Sequence, residues 1–449
     1  MPDILALLLC LHPDVTMTTV RQLSRITLAL LTMSGRVTML GIARWTGAGG
    51  SYRTVQRFFA TALPWAQLFW CFFRQHLFQP DAVYLLAGDE VVVTKAGKTT
   101  HGVGRFFSSI YQRAVPGLAF FSLALISTKD RRAFPMCMDQ VVRTEAEQAA
   151  TKPKPVAKQK AATPKRKPGR PKGSKNTPKA DVPLSPELQR IQMLVQALLR
   201  RIAGLFAVTY LLLDGHFGNG ASLQMARQCG LHLISKLRSD SALYLPYAGP
   251  YQGRGPRRKY GDKLDYRKLP ATCLKATTVE EQIETRIYQA EVLHQAFGQM
   301  LNVVIIAKLN LKTQARAHVI LFSSDLTLAY TTLIDYYSLR FQIEFTFRDA
   351  KQYWGLEDFM NVSATGVSNA ANLALFMVNL TYVLLLEVRQ TDPQCSVLDL
   401  KARYRGAKYV RELIKLLPET PDEDLTARLF HHVAQLGRIH PTEPQLMAA

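Results

Sequence analysis

Apolar residues recur at helical spacing over Val20–Met33, Thr38–Trp45 and Ser51–Ala60, which predicts three helices. The Gly-rich segment Gly47–Gly50 predicts a short turn between the last two, and Ser51 stands where an N-cap belongs. At Val83 the period changes. Val83–Val93 is a β-type apolar run with two acids, Asp89 and Glu90, in its middle. Ser108–Gln112 and Gly117–Ser127 are further strand candidates, so three successive strands open an α/β domain. Ser185–Ala203 has the signature of a helix start, with Ser185 at the cap, Pro186 at the first position and Glu187 in the first turn. Phe206–Leu213 is a continuous apolar run that predicts a strand buried on both faces in a central parallel pair, ending at Asp214. Leu231–Leu237 predicts another strand. Thr285–Leu293, Leu301–Leu309 and Ala317–Phe322 alternate as strands do within a β-rich stretch, residues 239–324. Thr327 to about Trp354 reads as one helix. The apolar run Leu373–Leu386 contains Asn379 and falls short of the ~20 residues a membrane span needs, so Asn372–Val388 predicts a buried core helix. Residues 397–438 read as helical and basic.

Charge changes the picture most. The 449-residue chain has 56 Lys and Arg against 34 Asp and Glu, a net charge of +22, which points to a polyanionic partner, nucleic acid first. Residues 151–180 hold nine lysines, two arginines and six prolines with no acid and no aromatic residue. Such a segment cannot bury a core. Its centre, Lys165-Arg166-Lys-Pro-Gly169-Arg170-Pro171, resembles an AT-hook that lies along a narrow A·T minor groove; a solvated polycation with salt-sensitive affinity for any DNA fits equally. The length predicts two or three domains. Six cysteines without C-x2-C spacing argue against a zinc site or a disulfide framework. Ile4–Leu11 is short and lacks a basic flank, unlike a signal peptide. No G-x4-G-K-[ST] phosphate loop occurs.

The candidate chemistry lies in three places. A carboxylate within a buried strand is costly unless paired or metal-bound. Asp89 and Glu90 point to opposite faces, so only one of them can serve a shared site. Asp214 sits at the end of a central strand, where α/β sheets place their chemistry; capping the next helix is its plainer role. In the late helix, at about 100° per residue, Tyr337, Arg340, Glu344, Arg348 and Lys351 share one narrow stripe, beside an apolar face of Leu339, Ile343, Phe347 and Trp354. Glu344 is the only acid of that stripe. It suits a metal-binding carboxylate among phosphate-holding cations, or else an exposed face with i,i+4 pairs contributing about 0.2–0.5 kcal/mol each. Clustered carboxylates repel one another unless divalent cations neutralise them, and hard oxygen ligands suit Mg2+. The Thr38–Ala60 outline is that of a helix-turn-helix. Arg53, Gln56 and Arg57 on its second helix suit base edges or phosphates, and an ordinary helical hairpin gives the same pattern.

Tyr337-x2-Arg340-x3-Glu344-x6-Lys351 resembles the signature of DDE transposases of the insertion sequence 4 type. Asp89-Glu90-x4-Lys95-x-Gly97-Lys98-x2-His101-Gly102-Val103-x-Arg105 resembles the first-aspartate block of that group, closest to its 701-like branch, with Glu90 where many members have Asp. The blocks stand in the family's order across most of residues 84–360. The resemblance implies an α/β fold with a ribonuclease H-like core (79–150, 181–238 and 325–392). It also implies a β-rich insertion domain at 239–324, an α-helical N-terminal DNA-binding domain at 1–78 and a basic helical region at 393–449. Asp89, Asp214 and Glu344 would be catalytic and hold Mg2+, with Mn2+ as a substitute. Tyr337, Arg340 and Lys351 would grip the DNA backbone beside the cut, and Arg348, Lys95, Lys98, Arg53, Arg57, Arg166 and Arg170 complete the candidate DNA-binding set. The implied partners are the terminal inverted repeats, target DNA and a second copy of the chain, with no membrane, in a bacterial cytoplasm at the nucleoid. Two rival readings are a DNA-binding protein that has lost catalysis and a metal-dependent nuclease that cuts without joining.

Overall fold

The computed structural model describes residues 3–47, 49–108, 111–143, 183–251, 253 and 255–440. The basic stretch 151–180, with Arg166 and Arg170, lies outside the described residues. Helices α1 (Ile4–Leu8), α2 (Met17–Thr32), α3 (Met39–Thr46), α4 (Tyr52–Ala60) and α5 (Trp65–His76) precede strands β1 (Tyr84–Thr94), β2 (Gly104–Ser108), β3 (Arg113–Ser127) and β4 (Arg132–Val141). Then come α6 (Pro186–Ile202), β5 (Tyr210–Leu212), α7 (Gly220–Gln228), β6 (His232–Leu237), β7 (Leu243–Pro246), β8 (Tyr260–Lys263), β9 (Leu274–Glu280), β10 (Ile283–His294), β11 (Met300–Asn310) and β12 (Arg316–Ser323). Helices α8 (Tyr330–Leu339), α9 (Phe341–Trp354), α10 (Ala364–Val388), α11 (Val397–Ile414) and α12 (Glu423–Val433) follow. The chain is thus a mixed α/β protein. It divides into two compact units: Met1–Tyr84, Asp89–Val141 and Phe341–Ala449 form the first, Leu85–Gly88 and Val142–Arg340 the second.

In the first unit α2, α3 and α4 begin at side-chain caps. Thr16, Thr38 and Ser51 accept from the N–H groups of Thr19, Gly41 and Thr54, satisfying donors that a helix start leaves open. Helices α2, α3 and α4 pack on one another, α4 and α5 also on α10, and α11 on α2. Trp65, Phe69 and Phe72 surround Phe376, with ring centroids 6.0, 5.5 and 5.1 Å from it. Strand β3 pairs antiparallel with β2 through Arg113–Gly117 and with β4 through Ala119–Ser127. A Cβ on Gly117 would come within 2.4 Å of the Val93 carbonyl oxygen, so only glycine permits this close approach of β3 to β1.

Helix α10 is long and apolar enough to cross a membrane, yet 78% of its most apolar window is buried in the fold. Its polar residues explain why. Asn369 donates to the carbonyls of Phe59 (2.8 Å) and Thr61 (2.7 Å) and accepts from Trp65 Nε1 (2.8 Å). Asn372 exchanges bonds with the backbone of Met138, and Asn379 donates to the Pro135 carbonyl at 2.9 Å. These amides meet backbone groups that the core would otherwise strand without partners.

In the second unit, the β1 segment Leu85–Gly88 starts a sheet ordered β1-β5-β6-β12-β11-β10-β7-β8, with β9 on β10. Strands β1, β5 and β6 are parallel; β12 joins β6 antiparallel, and the later strands alternate. The strands of 239–324 therefore continue the sheet of β5 and β6. Helix α8 packs on β6, β11 and β12. The turn before it is held by the buried Asn302, which donates to the carbonyls of Leu328 (2.7 Å) and Asp325 (3.0 Å).

Three sequence expectations need correction. The helix predicted over Thr327–Trp354 is two helices, α8 and α9, with Arg340 between them. Arg340 keeps helical angles (φ −52°, ψ −37°), but its N–H bonds the Tyr337 carbonyl three residues back. Tightening of the last turn leaves the side-chain period intact, so the pattern hides the break. The short strand predicted at Ser108–Gln112 lies at Gly104–Ser108, because Gln112 turns with φ 50° ahead of β3. The strand predicted through Phe206–Leu213 is ordered as a strand only over Tyr210–Leu212. Residues 206–209 are exposed or half-buried, and the ladder with β6 runs through Tyr210, Leu211 and Leu212.

Candidate active site

Strand β1 is fully buried from Tyr84 to Gly88 and opens at Asp89, which is half-buried, and Glu90, which is exposed. Asp89 Oδ1 accepts from the Glu90 N–H at 2.9 Å. In the same unit, Glu344 is half-buried in the first turn of α9, where the helix dipole favours a carboxylate. Strand and helix are tied directly: Lys351, near the end of α9, donates to the Val92 carbonyl of β1 at 3.1 Å and pairs with Glu357 at 2.9 Å.

Asp214 belongs to the second unit, where it is half-buried at the end of β5. Its Oδ1 accepts from the His216 N–H at 3.2 Å, and its own carbonyl receives the hydroxyl of the buried Ser235 on β6 at 2.7 Å. It caps a single 3-10 turn, Gly215–Phe217, whereas Asn219 caps α7. A Cβ on Gly218 would stand 2.1 Å from the Lys236 carbonyl oxygen, so the loop lies flat on β6 and fixes where Asp214 begins it. His216 Nε2 is 3.6 Å from Glu187 Oε1, and this contact pulls the Glu187 carboxyl below its ordinary range.

The predicted DNA contacts sort by environment. Arg53 and Arg57, with Tyr52 and Gln56, form the exposed face of α4, while Val55, Phe58 and Phe59 are buried. Lys98 is exposed. Arg348 is exposed, pairs with Asp349 at 3.0 Å and lies over the Phe345 ring. Arg340, in the second unit, is only 6% exposed, with its guanidinium 5.9 Å from the half-buried Tyr337 ring. Lys95 points inward. Its ammonium donates to the carbonyls of Glu357 and Phe359 and sits 3.7 Å from the Phe359 ring centroid. Burial pushes it down to about 8.

Sequence reasoning left open what the basic residues of 397–438 do. Two of them cap α2. Buried Lys401 donates to the Leu30 carbonyl at 2.8 Å, and Arg405 Nε to the Thr32 carbonyl at 2.8 Å, supplying cations to a helix C-terminus. A lysine and an arginine at i and i+4 on one helix were the available signal, but it did not show that they face inward.

Asp89 and Glu344 thus lie in one unit and Asp214 in the other. Among the described residues, no group of three or more His, Cys, Asp or Glu side chains is gathered as a metal site. By donor chemistry, three carboxylates fit a hard divalent cation such as Mg2+.

A comparison with curated proteins finds no match. The family model described as DDE superfamily endonuclease matches residues 10–296, a span that includes Asp89 and Asp214 and ends before Glu344. That match covers more than half of the chain, which therefore belongs to the DDE superfamily of endonucleases.

Proposed function

We propose that this endonuclease is a transposase. It binds the ends of its own mobile element as double-stranded DNA, cuts them by phosphodiester hydrolysis and joins the freed 3′ ends to target DNA. One observation carries the reading. In the parallel pair, Leu86 and Ala87 lie beside Leu211 and Leu212, and each strand reaches an acid two residues on, Asp89 in one and Asp214 in the other. Asp214 lies just past the end of β5, where such sheets present their chemistry, and Asp89 lies two residues past the last β1 residue paired with β5. With Glu344 as the third ligand, these acids would hold Mg2+, or Mn2+ in its place. When bound, the metal supplies Lewis-acid stabilisation at phosphorus and an acidified water.

The chain's own residues do the rest. The carboxylates orient the attacking oxygen. Arg53, Arg57, Lys98 and Arg348 neutralise backbone phosphates, and Tyr337 and Arg340 grip the strand beside the cut. Lys351 and Lys95 hold helix and strand in place, and the basic stretch with Arg166 and Arg170 adds salt-sensitive duplex affinity. The motif spacings support an enzyme of the insertion sequence 4 type and its 701-like branch, with a ribonuclease H-like core, acting as a dimer on two ends in the bacterial cytoplasm.

The test uses a plasmid carrying the DNA that flanks the gene on both sides, incubated with purified protein in Mg2+ or Mn2+. The expected result is release of the ends and their joining to a second plasmid. Asp89→Asn, Asp214→Asn and Glu344→Ala should each abolish both steps, while DNA binding and the activity of Glu90→Gln persist. Cleavage without joining would reduce the enzyme to a nuclease. Equal cleavage by wild type and variants would overturn the assignment of the acids.

A further inference from the structure

The second unit contains a cleft of about 900 Å3 lined by Lys263, Tyr266, Arg267, Arg316 and His318. A neighbouring hollow of about 540 Å3 shares Asp240 and His318 with it and adds Lys236. The floor is rigid. The rings of Tyr266 and His318 stack at 4.7 Å and 18°, the Tyr266 hydroxyl donates to the Ser241 carbonyl, and His318 Nε2 lies 2.8 Å from the Ser239 carbonyl oxygen. This plate joins the segment after β8 to strand β12, strands that are not neighbours in the sheet.

Charge identifies what such a cleft takes. Lys263, Arg267 and Arg316 are exposed, and among the described residues their side chains make no ion pair or hydrogen bond. Of the acids, Asp240 is neutralised by Arg238 through two bonds of 3.0 Å. Asp265 accepts from the Arg267 backbone N–H at 2.9 Å. Three exposed cations without ion pairs therefore face one acid across an open cleft whose lining mixes polar and apolar surface. Leaving like charges together without partners is unfavourable unless a polyanion meets them.

We propose that this cleft is a duplex-DNA backbone site, in which Lys263, Arg267 and Arg316 bind successive phosphates over the Tyr266–His318 plate. It rests on the DNA reading above but adds a contact surface built from residues 236–240, 263–267 and 314–320 that includes none of the three acids. Bidentate guanidinium–phosphate pairing suits Arg267 and Arg316. The cleft would fix the duplex in position without reading its sequence.

The experiment measures the affinity of the full chain for a duplex from the element end as salt is raised, and for a single strand of the same length. Arg267→Ala/Arg316→Ala should weaken duplex binding at low salt at least tenfold. It should also flatten the slope of log affinity against log salt by about two, since each lost phosphate contact accounts for roughly 0.9. Arg267→Lys/Arg316→Lys should retain most of the slope. If the alanine variant, with an unchanged melting curve, binds with wild-type affinity and slope, the cleft is not a DNA site. A greater loss for the single strand than for the duplex would also overturn the proposal. If the wild type binds no duplex at all, the functional reading falls and the cleft with it.

Discussion

The Lys351 ammonium donates to the Val92 carbonyl at 3.1 Å, joining the helix that bears Glu344 to the strand that bears Asp89. Val92 lies three residues beyond Asp89 on β1, and Lys351 lies seven beyond Glu344, on the same face of α9. Lys351→Met should therefore lower the unfolding free energy by about 1.5–3 kcal/mol, the range for a hydrogen bond to a charged group. Cleavage should fall by more than the lost stability explains at temperatures where the variant is folded. Urea denaturation and end-release rates on the same preparation check both.

The loop after Asp214 has no room for a side chain at Gly218. Gly218→Ala should displace the turn from β6 and reduce cleavage at least tenfold, with melting lowered by only a few degrees. Gly204→Ala serves as a control for a general glycine effect. Nothing lies within 4 Å of a Cβ there, but its φ of 86° costs stability without touching the loop. Activity that follows melting alone in both variants would separate Asp214 from its turn.

Asn369→Ala removes the partner of Trp65 Nε1 and of the Phe59 and Thr61 carbonyls. Buried groups left without partners cost about 1–3 kcal/mol each, so the variant should lose roughly 3 kcal/mol or more in a denaturant titration. Asn369→Asp should also be destabilised, because a carboxylate cannot donate to those carbonyls.

Burial, with Arg405 nearby, pushes Lys401 down to about 8 from 10.5. Between those values the unfolded chain binds the proton more tightly than the folded one. The penalty is thus fully present below about pH 8 and relieved as pH rises toward 10.5. The unfolding free energy of the wild type should gain a rising component across that window, and Lys401→Met should lack it. Denaturant midpoints at pH 7, 8, 9 and 10 measure the difference.

The sequence was most legible in the spans of the later strands and in the helix caps. The predicted spans of β10, β11 and β12 fall within two residues of those observed, although Leu301–Ile305 of β11 and Ile320–Ser323 of β12 are buried without interruption. Ser51 and Ser185 cap the helices they were expected to cap. Both acids of the strand region were visible because apolar runs around them are unusual. Hidden features were those in which backbone geometry departs from side-chain period. The turn at Arg340 keeps the helical spacing of its neighbours, and the apolar pattern of Phe206–Leu213 begins before the strand, which starts at Tyr210. Direction was hidden as well. Lys95, Lys351 and Lys401 read as solvent-facing cations, yet each spends its ammonium on backbone carbonyls. A long apolar stem lets lysine reach such acceptors from many positions, and no periodicity records which one it takes.

The asparagines of α10 bear on how the chain is made. The backbone groups of other elements that they hold, from Phe58 to Met138, are synthesised before α10 itself; Asn372 follows Met138 by 234 residues. As the protein's most hydrophobic helix leaves the ribosome, its docking surface is already outside. The interval in which an apolar segment is exposed to aggregation is then set by docking and not by waiting for later sequence. A circular permutation that moved residues 1–141 behind α10 would reverse that order while leaving every contact of the finished fold available.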